Sequence, residues 1–254
     1  TKIYCRPICP ARIPDLQNCL FVPSAAAAHG AGFRPCLRCR PEVAPNLLGR
    51  LEPGSTVFDR AMSAIAAGAL DDSGVQALAD RFAVSDRHLR RLFSEHLGAS
   101  PVAVAQTRRI LFAKQLIDET SLSMTDVAMA SGFASIRCFN AAIQQTYQRP
   151  PRDLRKHTLM TTASPELPRI SLKLPFSPPY EWPTLIKFLA GRAMPGIELV
   201  TSDAYQRTIA IEQSHGIIEV RPVPGKNYLM ANIQFPQVAA LAQIVERLRH
   251  MFDL

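Results

Sequence analysis

The sequence contains no uninterrupted apolar run of about 18 residues, the length that a membrane-spanning helix requires. It also lacks a segment with the charged, apolar and small-residue parts of a cleavable secretion signal. The thiols of its six cysteines are therefore expected to stay reduced and free to bind metal, as they do in the cytoplasm. These absences predict a cytoplasmic protein without a membrane partner.

Acidic side chains are in the minority. The 254 residues include 29 Lys and Arg against 21 Asp and Glu, which gives a formal net charge of +8. The excess is concentrated in residues 1–50, where seven basic side chains stand against two acidic ones. Such a basic segment favours an anionic partner. The chain is long enough for two or three domains.

Four cysteines arrive as two close pairs, Cys5 with Cys9 and Cys36 with Cys39. The pairs can supply the four thiolates of a tetrahedral Zn²⁺ site. Zinc at such a site can simply hold together a segment that is too short to build its own core. Cys19 has no partner at ligand spacing and is interpreted as a small buried hydrophobe. Surrounding arginines point to a site that meets an anion. They are Arg6, Arg12, Arg34, Arg38 and Arg40.

The segments that contain these pairs resemble a known family. Residues 3–12, IYCRPICPAR, and residues 32–41, GFRPCLRCRP, are similar to the zinc domain of Ada adaptive-response proteins, which remove methyl groups from DNA phosphotriesters. The resemblance implies that Cys5 is both a zinc ligand and the methyl acceptor. Because the chain starts at Thr1, without the part that family members carry before this cysteine, we expect an incomplete zinc domain in residues 1–50. The implied ligands of one Zn²⁺ are Cys5, Cys9, Cys36 and Cys39.

The implied chemistry agrees with the residue types. A zinc-bound thiolate stays deprotonated at neutral pH and remains a nucleophile, so displacement of a phosphodiester from a methyl carbon needs no separate base. Four thiolates and one Zn²⁺ carry a formal charge of about −2, and methylation of one thiolate leaves about −1. A thioether has no ready route back to a thiol. The protein would therefore act once and persist in a form that DNA phosphates repel less. Arg34 and Arg38 are expected to contact the DNA.

From Val57 to Lys156 apolar residues recur at helical spacing with short connections. The pattern predicts a short helix from Val75 to about Phe82 and another that starts after Ser85 as its N-cap. A long helix is predicted from Pro101 to about Glu119.

The second half of this helical segment repeats the first at an offset of 50 residues, which predicts two helix-turn-helix units. Their recognition helices should enter successive major grooves about 34 Å apart. Residues 130–133, ASGF, with Phe139 and a closing Pro-Pro-Arg resemble the AraC-type DNA-binding domain, which we place at residues 51–160. Gln148 replaces the first unit's Gly98, and this predicts a different cap on the second recognition helix. The repeated positions are Ser85 and Ser135, Arg87 and Arg137, and Pro101 and Pro151.

Polar side chains on the two recognition helices are candidates for DNA contact. For a single exposed arginine, a solvated helix face is the plainer interpretation. An arginine at the same helix position in both copies favours contact with base edges or phosphates instead. His88 and Cys138 occupy equivalent positions beside the helix core and are interpreted as packing residues. The candidates are Arg87, Arg90, Arg91, Arg137, Asn140 and Gln144.

Residues 161–168 are polar and contain proline, which predicts a linker. Beyond it, alternating residues predict strands, and helices are predicted at Trp182–Met194 and from about Gln237. We expect residues 169–254 to form an α+β domain with a small antiparallel sheet and two helices on one face. The predicted strands are Ile170–Leu174, Ile197–Val200, Gln206–Ile211, Ile217–Arg221 and Tyr228–Gln234.

This last segment also resembles a family. Residues 178–183, PPYEWP, 188–193, FLAGRA, and 249–254, RHMFDL, are similar to the N-terminal domain of AlkA-type 3-methyladenine DNA glycosylases. In that family the catalytic Asp and its helix-hairpin-helix lie in later domains, so the resemblance predicts no glycosylase activity for this chain alone. The Pro-Cys-His-Arg run of the O6-methylguanine transferase half of other Ada-type proteins is also missing.

Together the three resemblances predict a multidomain sensor of DNA alkylation damage. Cys5 would take one methyl group from a phosphotriester in a single turnover, and the methylated protein would then bind double-stranded DNA at promoters of alkylation-repair genes. The expected partners are DNA and RNA polymerase, and the expected state is a monomer associated with the bacterial nucleoid. The parent protein would be a fusion with the glycosylase. The alternative is a zinc-stabilised AraC-type transcription factor whose cysteines never react, and glycosylase activity of this chain is a third possibility.

Overall fold

The structure is a computed structural model that describes residues 2–7, 9–12, 14–39, 41, 56–155 and 169–254. No helix within these ranges has the length and hydropathy needed to cross a membrane. The predicted linker at residues 161–168 lies outside the described residues, and the proposed domain boundaries stay predictions.

The described residues of the cysteine-bearing segment, between 2 and 41, form two very short strands and one helix. Strand β1 (Ile3–Tyr4) pairs in parallel with β2 (Arg34–Pro35). Between them lie a 3-10 turn (Leu16–Asn18) and helix α1 (Ala25–Gly30). The side chain of Ser24 caps α1 by accepting a hydrogen bond from a backbone amide of its first turn.

Residues 56–155, all of which the structure describes, form seven helices in the arrangement that the sequence predicts. The helix pairs α3–α4 and α6–α7 form the two helix-turn-helix units, and α5 connects them. The predicted long helix is confirmed, and α3 ends one residue before the predicted Phe82. The helices are α2 (Val57–Ala66), α3 (Val75–Arg81), α4 (Asp86–Leu97), α5 (Pro101–Glu119), α6 (Met124–Ala130), α7 (Ile136–Tyr147) and α8 (Pro151–Leu154).

The recognition helices α4 and α7 begin and end in the same way. Ser85 and Ser135 each accept a hydrogen bond of 3.2 Å from the amide three residues on, as expected of N-caps. At the other end, Gly98 has a φ of 61° and Gln148 a φ of 55°. Both are left-handed C-caps, so the prediction of a different cap at Gln148 is wrong. The left-handed conformation costs roughly 1 kcal/mol for a residue with a β-carbon such as Gln148.

The two units have separate hydrophobic cores. The first is made by α2, α3 and α4 and includes Ala105 from the start of α5. The second begins at Ile110 of α5, continues through α6 and α7, and extends into residues 169–254. Helix α5 is therefore shared, since its first turns belong to one core and its later turns to the other.

Residues 169–254 form the predicted antiparallel sheet with helices. The strand order is β3-β7-β6-β5-β4, so β3 and β4 are the two edges. Buried residues alternate along β7, at Leu229, Ala231 and Ile233, which is the pattern of a sheet with one face in the core. The elements are β3 (Arg169–Pro175), α9 (Trp182–Ala190), β4 (Glu198–Val200), β5 (Tyr205–Ile211), β6 (Ser214–Pro222), β7 (Tyr228–Gln234), a 3-10 turn (Val238–Ala240) and α10 (Leu241–Met251).

Helix α9 is shorter than predicted because it ends at Ala190, with Gly191 as its C-cap, and not at Met194. The ring of Trp182 at its start stacks on Phe252, with centroids 5.9 Å apart and an interplanar angle of 11°. Since Phe252 follows α10, this contact joins the two helices of the domain.

Helix α5 docks directly on the edge strand β3. The side-chain amide of Gln115 donates to the carbonyl of Lys173 over 2.9 Å. The amide of Lys173 donates to Oε2 of Glu119 over 2.9 Å. These bonds satisfy main-chain groups of an edge strand that would otherwise lack ladder partners. The sheet domain is therefore fixed to the helix that connects the two helix-turn-helix units.

Candidate functional site

The strand pair β1–β2 brings the two cysteine pairs together. Cys5 follows β1 and Cys36 follows β2, and the parallel pairing of Tyr4 with Pro35 places them side by side. The sulfur atoms of all four cysteines lie within 4.8 Å of one another. Those of Cys9 and Cys36 are 3.9 Å apart.

This cluster fits one zinc ion. Four sulfurs at about 2.3 Å from a tetrahedral Zn²⁺ lie about 3.8 Å from each other, close to the spacing found here. The predicted zinc site is therefore confirmed as a set of four thiols that can hold a single ion. The four differ in exposure: Cys36 and Cys39 are buried, Cys9 is half-buried and Cys5 is exposed. Cys5 is therefore the most exposed residue of the four.

The pKa values of Cys5, Cys36 and Cys39 are shifted in different directions. Desolvation of the thiol group within the cluster and hydrogen bonds with the Cys36 and Cys9 thiols raise the pKa of Cys5 far above its usual value, although the residue as a whole is exposed. Burial also raises the pKa of Cys39, to about 11. Burial acts in the same direction on Cys36, but the backbone amides of Cys39 and Arg38 donate to its sulfur and the pKa falls to about 7. Zinc must therefore displace protons from several of these thiols when it binds.

The arginines around the cluster divide into structural and exposed members. The guanidinium of Arg6 donates to the carbonyl of Cys39 over 2.6 Å, so it holds the second cysteine pair in place. Arg34 is half-buried and donates to the carbonyl of Pro35 over 3.1 Å. Arg12 and Arg38 are exposed, and Arg40 lies outside the described residues.

The cysteine-bearing segment is docked on the helical domain. The hydroxyl of Ser24 donates to the carbonyl of Leu97, at the end of recognition helix α4, over 2.7 Å. Strand β2 touches recognition helix α7, and Leu37 packs against the core of the second unit. No local pattern in the sequence indicates these contacts, because they join residues that are far apart in the chain. They place the cysteine cluster beside the second recognition helix.

All six DNA-contact candidates on the recognition helices are exposed. Arg90 already pairs with Asp86 over 2.7 Å, and Arg91 lies 3.8 Å from Glu95. The interpretation of Cys138 as a packing residue is wrong, because its side chain is exposed on α7. Cys19 is not fully buried either, since it lies in a turn where its sulfur faces the carbonyl of Asp15.

Three family models match the chain. The metal binding domain of Ada matches residues 1–42, a helix-turn-helix domain matches 78–157 and the AlkA N-terminal domain matches 171–254. The three resemblances found in the sequence are thus confirmed. In chain order, these segments resemble an Ada-type zinc domain, an AraC-type helix-turn-helix region and an AlkA-type N-terminal domain.

Several curated relatives match all or part of the chain. A probable bifunctional transcriptional activator/DNA repair enzyme AlkA of Mycobacterium tuberculosis is 37% identical over 100% of this chain and 51% of its own length. AdaA of Bacillus subtilis, named a bifunctional transcriptional activator/DNA repair enzyme, is 28% identical over 63% of this chain and 73% of its own length. Ada of Escherichia coli, with the same description, is 32% identical over 61% and 42%. The chain spans about half the length of the Mycobacterium relative that it matches throughout.

Proposed function

We propose that this chain, which joins an Ada-type zinc domain to an AraC-type reader and an AlkA-type N-terminal domain, is a single-use repair methyltransferase and a methylation-dependent activator of transcription. The observation that carries the proposal is the position of Cys5, the exposed thiol of a cluster in which the two thiols of the second pair are buried. A methyl group on a DNA phosphate can approach Cys5, whereas Cys36 and Cys39 serve only as ligands.

The reaction needs one displacement. The Cys5 thiolate attacks the methyl carbon of a phosphotriester, a sulfur–carbon bond forms, and the carbon–oxygen bond breaks with its electron pair left on the phosphodiester. Zinc, when bound, keeps the thiolates deprotonated at neutral pH. The exposed Arg12 and Arg38 attract the surrounding phosphates. The amide of Arg6 donates to the sulfur of Cys39 over 3.4 Å and helps to keep that ligand in place.

The same molecule would then read promoters. The recognition helices α4 and α7 present exposed arginine, asparagine and glutamine side chains of the types that contact bases and phosphates. Strand β2, which precedes the second cysteine pair, touches α7, and this contact supports a proposed location of the methyl acceptor Cys5 near the second recognition helix. A change of charge at Cys5 can therefore change the affinity of that surface for DNA. RNA polymerase is the proposed partner of the bound monomer.

The test is mass spectrometry after incubation with DNA that carries methylphosphotriesters. We expect one adduct of about +14 Da, the mass of one S-methyl group, on the peptide that contains Cys5. Cys138→Ser is the matched control because it removes another exposed thiol, and it should accept the methyl group as the wild type does. An unmodified Cys5 in zinc-loaded protein would favour the alternative, a zinc-stabilised transcription factor without methyl transfer.

The sheet domain supports a wider role for the whole protein. We propose that the parent is also a 3-methyladenine DNA glycosylase whose catalytic domains lie outside this sequence, since the chain spans about half of its Mycobacterium relative. Alkylated DNA incubated with this chain alone should release no free 3-methyladenine. Release of the base would show that residues 169–254 carry catalytic groups of their own.

A further inference from the structure

The middle of α5 lies between the two hydrophobic cores of the helix-turn-helix units. The first core ends on α5 at Ala105 and the second begins there at Ile110. Apolar packing holds each unit together, but Arg108 and Arg109 lie on α5 between the two cores and belong to neither of them. This stretch is called the gap between the cores. The orientation of one unit relative to the other must therefore depend on other contacts at this level of α5.

A carboxylate occupies this gap. Asp71, in the loop that follows α2 in the first unit, accepts hydrogen bonds from Nη2 of Arg108 over 2.7 Å and from Nε of Arg109 over 2.8 Å. The two guanidiniums also donate to the carbonyls of Ala66 and Leu70, in the same part of the first unit. The three charged side chains are only 15–17% exposed. Such charge-assisted, partly buried bonds are strong and geometrically specific.

The same carboxylate reaches the second unit. Gly132, in the turn between α6 and α7, has a φ of +79°, and a β-carbon there would overlap the carboxylate of Asp71. The main chain of the second unit's turn therefore lies directly against the side chain of the first unit's loop. Asp71, Arg108, Arg109 and Gly132 together are called the inter-unit clamp below.

We propose that the inter-unit clamp sets the angle and spacing between the two recognition helices, with Asp71 as its positioning residue. The inference rests on the proposed function only in taking DNA as the ligand of both helices. A rigid pair of readers gains affinity from the second contact only if its spacing matches the two half-sites. Asp71 thus determines which half-site spacing the protein accepts. Helix α10 of the sheet domain also touches α2 of the first unit, and the sheet domain is fixed to α5. Because this connection remains when the clamp is lost, the two units should become looser in orientation but stay together.

The experiment uses DNA duplexes selected from a random library by the wild-type protein, together with versions whose half-sites are moved apart or together by one base pair. We expect the one-base-pair change to weaken wild-type binding about tenfold, because the second helix no longer meets its groove. For Asp71→Asn, which keeps the shape and removes the charge, we expect binding to the selected duplex to weaken by about three- to tenfold. The penalty for altered spacing should shrink to about twofold, because a looser pair adapts.

The matched control is Asp72→Asn, which changes the neighbouring exposed carboxylate and should keep the wild-type spacing penalty. Circular dichroism and the melting temperature verify the fold. If Asp71→Asn is unfolded at the assay temperature, Arg109→Lys takes its place, since it removes the Nε bond and leaves Arg108 paired.

Two results would overturn the proposal: equal spacing penalties in wild type and variant, or a uniform loss on every duplex with the penalty unchanged. The second result would mean that the clamp only stabilises the fold. If the wild-type protein selects no duplex at all, the proposed DNA-reading function itself fails, and this outcome is distinct from the other two.

Discussion

The imidazole of His29 is hydrogen-bonded to the hydroxyl of Thr107, with Nδ1 and Oγ1 3.0 Å apart, and so ties the cysteine-bearing segment to α5. Its Nε2 lies 3.2 Å from the hydroxyl of Tyr4, the residue before Cys5. Burial lowers the pKa of His29 to about 4, which keeps the ring neutral at pH 7. A neutral ring donates from one nitrogen and accepts at the other, so it can serve both partners.

The first prediction concerns the stability of this junction. His29→Phe should lower the free energy of unfolding by about 1–3 kcal/mol, the cost of two lost hydrogen bonds with partly buried partners. The folded-state pKa of His29 lies below the value of about 6.5 in unfolded chains. The contribution of neutral His29 to the free energy of unfolding is therefore fully present above pH 6.5 and is lost as the pH falls toward 4. Urea unfolding at pH 7 and pH 5 should show a smaller pH dependence in the variant.

The exposed His215 provides the control for that measurement. His215→Phe should leave both the stability and its pH dependence near those of the wild type. An unchanged pH dependence in His29→Phe would mean that the protonation of His29 does not limit docking.

The second prediction concerns zinc. Protein prepared without chelator should contain one zinc ion per chain, and Cys36→Ser should lose it, because three thiolates bind Zn²⁺ more weakly than four. Cys19→Ser should retain full zinc content, since Cys19 is not part of the four-sulfur cluster. Elemental analysis measures both. Because the pKa of Cys39 is raised to about 11, zinc must displace its proton, and zinc affinity should fall as the pH is lowered.

The third prediction concerns DNA reading by α4. Arg87→Ala should weaken binding to a selected operator by about 1–3 kcal/mol if Arg87 makes a bidentate contact to a base. If it holds a phosphate instead, affinity should fall almost equally on all sequences and the salt dependence should decrease. Equilibrium binding to operator and random duplexes distinguishes these cases. Arg192→Ala changes an exposed residue of the sheet domain and should alter the affinity for neither the operator nor the random duplexes. If Arg87→Ala binds both kinds of DNA as the wild type does, Arg87 is not part of the interface.

Local features of the fold could be predicted from the sequence, and long-range docking could not. Ser85 and Ser135 predict the starts of their helices because an N-cap depends only on residues within one turn. The four cysteines predict the zinc site because the spacing of the ligands within each pair is also local. The bond between Glu119 and Lys173 joins residues 54 positions apart, and neither residue type is unusual where it stands. The same holds for His29, which reads as the end of an alanine-rich helix until α5 is placed beside it.

The fourth prediction follows from the docking of α5 on β3. Glu119→Ala removes the acceptor of the Lys173 amide and should destabilise the junction by about 1–3 kcal/mol, because a main-chain group is left unsatisfied. The single tryptophan, Trp182, lies in the sheet domain, so its fluorescence reports that domain alone, whereas far-ultraviolet circular dichroism is dominated by the helices. In urea the two signals should coincide for the wild type and separate for the variant. Asp72→Ala is the surface control, and coincident transitions in Glu119→Ala would argue against the docking role.

The last prediction tests whether repair and regulation are coupled through charge. Methylation of Cys5 changes the formal charge of the zinc-loaded cluster from about −2 to about −1. The cluster lies beside recognition helix α7 through its contact with β2, so the unmethylated form should repel nearby phosphates more. Operator affinity should therefore be higher after stoichiometric methylation. The difference should be largest at low salt and should shrink as the screening length falls from about 10 Å at 0.1 M to about 3 Å at 1 M.

The control for this comparison is Cys5→Ser treated in the same way, because an alcohol at this position is a far weaker nucleophile than a thiolate and takes no methyl group. Its operator affinity should not change on exposure to methylated DNA. Peptide mapping of the wild type must place the methyl group on Cys5 before affinities are compared. Equal affinities of the two wild-type forms at low salt would contradict the coupling, because the removal of a charge so close to α7 would then have no effect on DNA binding. In that case the two activities would be joined only by the covalent chain, and the contact between β2 and α7 would serve stability alone.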